Sequence, residues 1–154
     1  MIEVLVTLMI IALALLGTAG LQAYAMRTSQ GGQFRSQAVF LVADLAERME
    51  ANKIGAVAGS YALSTSSTAN TLSTACVSSA CSPTDLAAFD LSQWQNAIAS
   101  MLPQSSWTVT QTTSGNPSTY TITISWVDRR SDTAYASTGT GETFSYTATR
   151  TISN

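Results

Sequence analysis

The chain has 154 residues, a formal net charge of −2 at pH 7 and charged side chains at only 10% of its positions. Charges so few and so balanced provide no basic patch of the kind that binds nucleic acid. The sequence contains no histidine, which removes the commonest general base and the commonest metal ligand. We therefore expect no enzyme activity, no cofactor and no metal site.

The first predicted element is an apolar segment of membrane length. No charged residue occurs from Val4 to Met26, and the flanking charges are Glu3 and Arg27. As a helix rising about 1.5 Å per residue, this segment would measure roughly 34 Å, and the hydrocarbon core of a bilayer is about 30 Å thick. The sequence therefore predicts a transmembrane helix. A glutamate such as Glu3 is unusual at the start of a transmembrane helix, because ionisable groups in membrane segments are costly and usually functional.

Two simpler interpretations of this segment are a cleaved signal peptide and a plain single-pass anchor. Ala23-Tyr24-Ala25 resembles a cleavage site, but the segment is longer than a usual signal peptide and no basic residue precedes it. As a plain anchor it would leave the rest of the chain in the cytoplasm, because Arg27 and Arg35 both follow it. We expect instead that a basic leader precedes the first residue, which restores the opposite orientation.

The helical pattern continues beyond the membrane segment. An apolar stripe at helical spacing predicts a helix over residues 33–53. Its members are Phe34, Ala38, Leu41, Val42, Leu45 and Met49. Gly31 and Gly32 precede the stripe, and because each glycine weakens a helix by about 1 kcal/mol, a kink or soft joint is expected there. We therefore divide the chain into a transmembrane and assembly part, residues 1–28, and a globular part, residues 29–154.

Residues 54–82 are rich in small and hydroxylated side chains, lack a clear period and predict a loop, with a short strand considered around Tyr61–Leu63. This loop carries Cys76 and Cys81. In an extracytoplasmic domain such a close pair predicts a disulfide, which stabilises by about 2 kcal/mol in the chain-entropy model. Two free thiols are the alternative, which a cytoplasmic location of the domain would favour.

A second helix is predicted over residues 83–102. Ser82 can cap its first turn, Pro83 suits the first helical position, and Asp85 is favourable near a helix N-terminus. We interpret Asp85 and Asp90 as helix-cap residues, with a possible break of the helix close to Asp90.

Residues 105–153 predict antiparallel strands. In the clearest one, apolar side chains alternate with Thr and Ser; they are Tyr120, Ile122, Ile124 and Trp126. Shorter alternating runs lie on either side, and the polar stretch from Asp128 to Gly141 connects the last two strands. The predicted fold class is α+β: a long N-terminal membrane-spanning helix whose outer half packs on a small three-stranded antiparallel sheet, with a second short helix.

The first residues carry a family resemblance. The stretch MIEVLVTLMIIALALLG, from Met1 to Gly17, resembles the start of a type IV pilin from its third mature residue onward. The resemblance implies that a basic leader, a cleavage glycine and a methylated phenylalanine terminus precede Met1. It also implies an assembly role for Glu3, whose carboxylate would face the positive N-terminal amine of a neighbouring subunit and set the register between the two. The Cys76–Cys81 pair would then lie in a periplasmic domain.

The second half narrows the resemblance to one family of minor pilins. DLAERMEANKIGAVAGSYAL, DLAAFDLSQWQNAIASMLP and YTITISWVDRR are similar to the type IV pilus modification protein family, PilV. The residues whose order and spacing carry this similarity are Asp85, Asp90, Trp94, Leu102-Pro103 and Trp126. It implies a non-catalytic minor pilin that assembles with other minor pilins, a tip adhesin and the major pilin to prime or tip a type IV pilus, supporting adhesion and motility.

The implied location is the inner membrane, crossed once with a periplasmic C-terminal domain, and then the extracellular pilus. One alternative is a minor pseudopilin of a type II secretion system, which shares the helix and the assembly logic. The other is a membrane-anchored binding module that does not polymerise.

Overall fold

The computed structural model describes residues 2–73, 76–128 and 141–154. Its helices are α1 (Ile2–Ala51), α2 (Lys53–Val57) and α3 (Pro83–Met101). Its strands are β1 (Leu63–Ser66), β2 (Ser106–Thr113), β3 (Ser118–Asp128) and β4 (Glu142–Ile152). The long apolar helix packs through its outer half on a small antiparallel sheet, which confirms the predicted α+β class. The predicted polar connection between the last two strands lies largely outside the described residues.

The helix α1 runs through Gly31 and Gly32 without interruption, so the glycine pair does not end it. The kink or soft joint expected there stays a prediction. The free energy that two glycines cost a helix is small compared with the stabilisation from the helical hydrogen bonds on both sides of them. A Cβ atom on Gly31 would lie 3.3 Å from Oδ2 of Asp128 at the end of β3. The glycine therefore allows close contact between the helix and the sheet.

The sheet has four strands in the order β1-β2-β3-β4, and every neighbouring pair is antiparallel. Ile124 at the centre of β3 lies opposite Trp107 of β2 and Tyr146 of β4. The three-stranded prediction left β1 out of the sheet, and the short strand considered around Tyr61–Leu63 overlaps it only at Leu63, because the sequence LSTS has one apolar residue and no alternation. The helix α2 was missed as well. It begins at Lys53, the last residue of the predicted first helix, and both elements otherwise lie within the predicted loop.

The core lies between α1, α3 and the inner face of the sheet. Along β3 buried residues alternate with half-buried ones over its whole length, as the predicted apolar and hydroxylated faces require. The predicted stripe of α1 is buried from Ala38 to Met49, and Phe34 packs at its margin. Trp94 of α3 is fully buried, and its Nε1–H donates to the carbonyl oxygen of Leu41 at 2.7 Å. That bond fixes α3 on α1.

The helix α3 begins as the sequence predicted. The hydroxyl of Ser82 accepts from the backbone N–H of Asp85 at 3.1 Å, and Pro83 occupies the first turn. The helix continues through Asp90 to Met101, so the break considered near Asp90 does not occur.

Candidate assembly surface

The first half of α1 is an uncovered apolar surface. Every side chain described from Ile2 to Met26 is exposed, including Leu16 and Leu21 at 70% and 71%. The most apolar 18-residue window of α1 has a mean hydropathy of 2.5, and none of that window is buried. By length and composition α1 can therefore cross a membrane, and within the described residues no other part of the chain covers this surface.

Glu3 lies in the first turn of α1, far from the globular part. The first half-buried positions along α1 are Gln30 and Gly31, which lie roughly 40 Å from Glu3 at the helical rise. The first turn is favourable for a carboxylate, because the partial positive charge of the helix N-terminus lies there. No described residue lies near enough to serve as the charged partner of Glu3, so any such partner belongs to another molecule or lies outside the described residues.

A polar network fixes the outer half of α1 to the globular part. Arg48 of α1 donates from Nε to Asp44 at 3.0 Å and from Nη1 to Asp90 of α3 at 3.2 Å. The hydroxyl of Tyr61 donates to the second oxygen of Asp90 at 2.6 Å and accepts from Nδ2 of Asn52 at 3.2 Å. We call these five residues the Asp90 network.

The network corrects the interpretation of Asp90 as a helix cap. Asp90 is buried and lies inside α3, where it accepts from residues of α1 and of the segment before β1. The chain separations are 42 residues to Arg48 and 29 to Tyr61, so no local sequence pattern indicates these contacts. An Asp at an apolar position of a predicted helix was the available signal, because a buried carboxylate requires partners.

The network also shifts proton affinities. The pKa of the Tyr61 hydroxyl is raised well above its ordinary value of 10.0. Burial is the larger cause, and the hydrogen bond to Asp90 is the next. Burial alone would lower the pKa of Arg48, but its hydrogen bonds and charge interactions with Asp44 and Asp90 outweigh burial and raise it. Arg48 therefore stays positively charged and Tyr61 stays protonated under physiological conditions, which keeps the network intact.

The cysteines lie in the exposed loop before α3. Cys76 and Cys81 form a disulfide with a Cα–Cα distance of 5.5 Å, as the sequence predicted. The chain just before this loop is held on α3, since the backbone N–H of Asn70 donates to Oε1 of Gln95 at 2.9 Å and that of Ser73 to the hydroxyl of Ser92 at 3.1 Å. The disulfide closes a small surface loop beside α3, outside the hydrophobic core.

No group of three or more Cys, Asp, Glu or His side chains with metal-binding geometry occurs among residues 2–73, 76–128 and 141–154. Among these residues, Asp44 and Asp90 pair with Arg48, and Glu50 pairs with Lys53 at 3.0 Å between their charged atoms. These groups pair acid with base, which is a structural arrangement and offers no open coordination site.

One comparison with known proteins gives a family. Residues 20–92 match the model of the Tt1218-like family, described as type IV pilin Tt1218. This match supports the type IV pilin superfamily. Comparison with curated proteins and with solved structures found no significant match.

The matched segment begins at Gly20 and ends at Ser92, slightly under half of the chain. It takes in the outer half of α1, the disulfide loop and the Asp90 network. It does not include Glu3, so the family match and the resemblance of the first 17 residues to pilins come from different parts of the chain. A structural role in a pilus fits both.

Proposed function

We propose that this chain is a minor pilin of the type IV pilus modification protein kind, which joins other minor pilins in a complex that primes or tips a type IV pilus. The observation that carries the proposal is α1 itself. One continuous helix presents an exposed apolar half of membrane length and buries its other half against an α+β domain. Such a helix can wait in a bilayer and then pack against other helices of the same kind, because both surroundings are apolar.

Glu3 sets the register in this proposal. An unpaired carboxylate in an apolar assembly is costly, whereas one that faces a positive N-terminal amine is stabilised. A subunit would therefore enter the complex at the axial position where Glu3 meets such an amine. The partners would be other minor pilins, a tip adhesin and the major pilin, with the globular domain periplasmic before assembly and extracellular after it.

Substitution of Glu3 tests this function in the complete gene, in the strain that carries it. Glu3→Ala and Glu3→Gln should lower the amount of this chain in sheared pili, and lower the number of surface pili, by about tenfold or more if one charge pair worth at least ~1.4 kcal/mol is lost. Glu47→Ala is the matched control, because Glu47 is an exposed glutamate on the outer half of α1. Immunoblots of whole cells establish that all variants are made in equal amounts.

The same strains separate the alternatives. If deletion of the gene leaves pili intact and stops secretion of exported proteins, the chain is a pseudopilin of a type II secretion system. If Glu3→Ala changes neither the pili nor the partner complex recovered from membranes, the register role is wrong, and an anchored binding module that does not polymerise takes its place.

A further inference from the structure

The strand β4 is a sheet edge with little protection. It has 11 residues, and within the described residues it pairs only with β3, over its full length and without a register shift. The opposite edge, β1, has 4 residues and an irregular register with β2. Long flat edges expose unpaired backbone groups, and proteins usually block them with bulges, prolines or charges. The only charged residues of β4 are Glu142 and Arg150, near its two ends.

An apolar groove follows this edge. Its floor and walls are formed by Val39, Ala43 and Ala46 of α1 together with Tyr146 and Ala148 of β4, and we call it the β4 groove. It encloses about 190 Å³. Val39 is 40% exposed. Phe144, Tyr146 and Ala148 of β4 are half-buried, although the matching positions of β3 are buried. The inner face of the sheet is therefore left uncovered on this side.

A second cavity of about 310 Å³ lies toward the start of β4, beside Gly32, Trp126 and Phe144. The rings of Trp126 and Phe144 stack there with centroids 6.1 Å apart. Arg35 lines the same cavity, is exposed, and forms no ion pair with a described residue. The strand edge, the apolar groove and the exposed Arg35 thus occur side by side along one border of the domain.

We propose that β4 accepts an extended segment of a different protein as an additional strand, with an apolar side chain at every second position in the β4 groove and an acidic residue near Arg35. Only an extended backbone can satisfy the N–H and C=O groups along the edge, and alternate side chains of such a strand all point to one face. This inference rests on the proposed function, because it takes α1 to be anchored in a membrane.

A second copy of this chain is the less suitable occupant. The helix α1 and β4 run in the same direction, since Gly32 lies near the start of β4 and Glu50 lies 3.8 Å from Arg150 near its end. Antiparallel pairing of two β4 strands requires a two-fold axis that would reverse one α1, so the two helices could not enter one membrane from the same side. Parallel pairing would turn the second sheet over and place its exposed Thr147 and Thr149 above the apolar groove.

Photocrosslinking in the full-length chain, in its own strain, tests the proposal. Thr147 and Thr149 are replaced one at a time by p-benzoylphenylalanine, and the crosslinked peptides are mapped by mass spectrometry. We expect both positions to label one segment of one other protein, with the labelled site moving by two residues between them and with apolar residues alternating in that segment. The same photoreactive residue at Thr110, an exposed position on β2, should not label that segment.

A groove variant shows whether the apolar contact contributes. Ala43→Glu should reduce the crosslink about tenfold or more, because a charged side chain would replace part of the apolar wall of the β4 groove, which Arg150 also lines. Ala88→Glu is the matched control, as Ala88 is an exposed alanine within α3, and it should leave the crosslink unchanged.

The proposal would be overturned if the crosslinks label a second copy, residues 129–140 of the same chain, scattered sites, or nothing at all. Equal effects of Ala43→Glu and Ala88→Glu on the crosslink would also overturn it. The number of surface pili after deletion of the gene tests the proposed function separately. If the deletion strain has intact pili and the strain that carries the chain gives the expected crosslink, the proposed function is rejected and the strand addition stands.

Discussion

At the scale of single residues, Asp90 connects α3 to α1 and to the segment before β1. Its two carboxylate oxygens accept from Arg48 and from Tyr61, which lie on different elements. Asn52 extends the network to the start of α3 by donating to the carbonyl oxygen of Pro83 at 2.7 Å. Because these groups are largely buried, the loss of one member leaves another without its partner, which costs more than the hydrogen bond itself contributes.

Tyr61→Phe tests the network and its pH dependence together. We expect the variant to be less stable by about 1–3 kcal/mol at pH 7, because Asp90 loses a buried donor. Folding raises the pKa of Tyr61, so the folded chain keeps a proton that the unfolded chain loses above pH ~10. The contribution of Tyr61 is therefore fully present below that pH and is lost as pH rises through the folded-state pKa.

The measurement is urea unfolding of the detergent-solubilised chain, followed by tryptophan fluorescence between pH 7 and pH 11. The stability of the unaltered chain should fall more steeply above pH 10 than that of Tyr61→Phe, so that the two curves converge. Tyr146→Phe serves as the control for loss of a tyrosine outside the network. Parallel curves over the whole range would contradict the assigned role of Tyr61.

At the scale of elements, two helical glycines differ in whether the surrounding structure leaves space for a side chain. A Cβ atom on Gly55 of α2 would lie 2.7 Å from the carbonyl oxygen of Pro83 and 2.6 Å from Nδ2 of Asn52. A Cβ atom on Gly32 of α1 would meet nothing within 4 Å. The first glycine is thus required by close packing of α2 on α3, and the second has no packing requirement in the isolated chain.

Alanine substitutions at these glycines should change stability in opposite directions. Gly32→Ala should stabilise by about 0.4–1 kcal/mol, because alanine has the higher helix propensity. Gly55→Ala should destabilise by about 1–3 kcal/mol, because the backbone of Pro83 must move. Urea midpoints of the detergent-solubilised variants provide the comparison. A destabilised Gly32→Ala would show that the helix does need flexibility there, as the sequence alone suggested.

The elements that sequence predicts well are those whose periodicity is local. The alternation from Tyr120 to Trp126 predicted β3, and the stripe from Ala38 to Met49 predicted the buried face of α1, because burial of one face imposes a period on the sequence. Asp90 was misinterpreted for the opposite reason. Its partners are distant in the chain, so its role depends on how the elements pack. The polar strand β1 was anticipated only at its first residue, because pairing with β2, and not its own pattern, makes it a strand.

At the scale of the whole molecule, the chain separates into a part that has a core and a part that has none. Every buried apolar residue of the described chain lies at Ala38 or beyond, and Phe34 is the first residue to pack on that core. The membrane-length half of α1 has no buried residue. Folding of the globular part should therefore not depend on the first half of α1, which stays available for a membrane or for other subunits.

Truncation at two positions tests this separation. A chain of residues 29–154 keeps the whole core, so it should be soluble without detergent and melt within roughly 3 °C of the full chain, a difference of less than about 1 kcal/mol. A chain of residues 40–154 loses Phe34 and Ala38 from the core. Full burial of a phenylalanine is worth roughly 1.5–3 kcal/mol, and Phe34 is half-buried, so its loss together with that of the fully buried Ala38 should lower the melting temperature by about 5 °C or more. Melting is followed by tryptophan fluorescence, because Trp94, Trp107 and Trp126 are all buried in the core. Failure of 29–154 to fold, with a stable full chain, would show that the membrane half of α1 supports the domain, and the boundary between the two parts would then lie elsewhere.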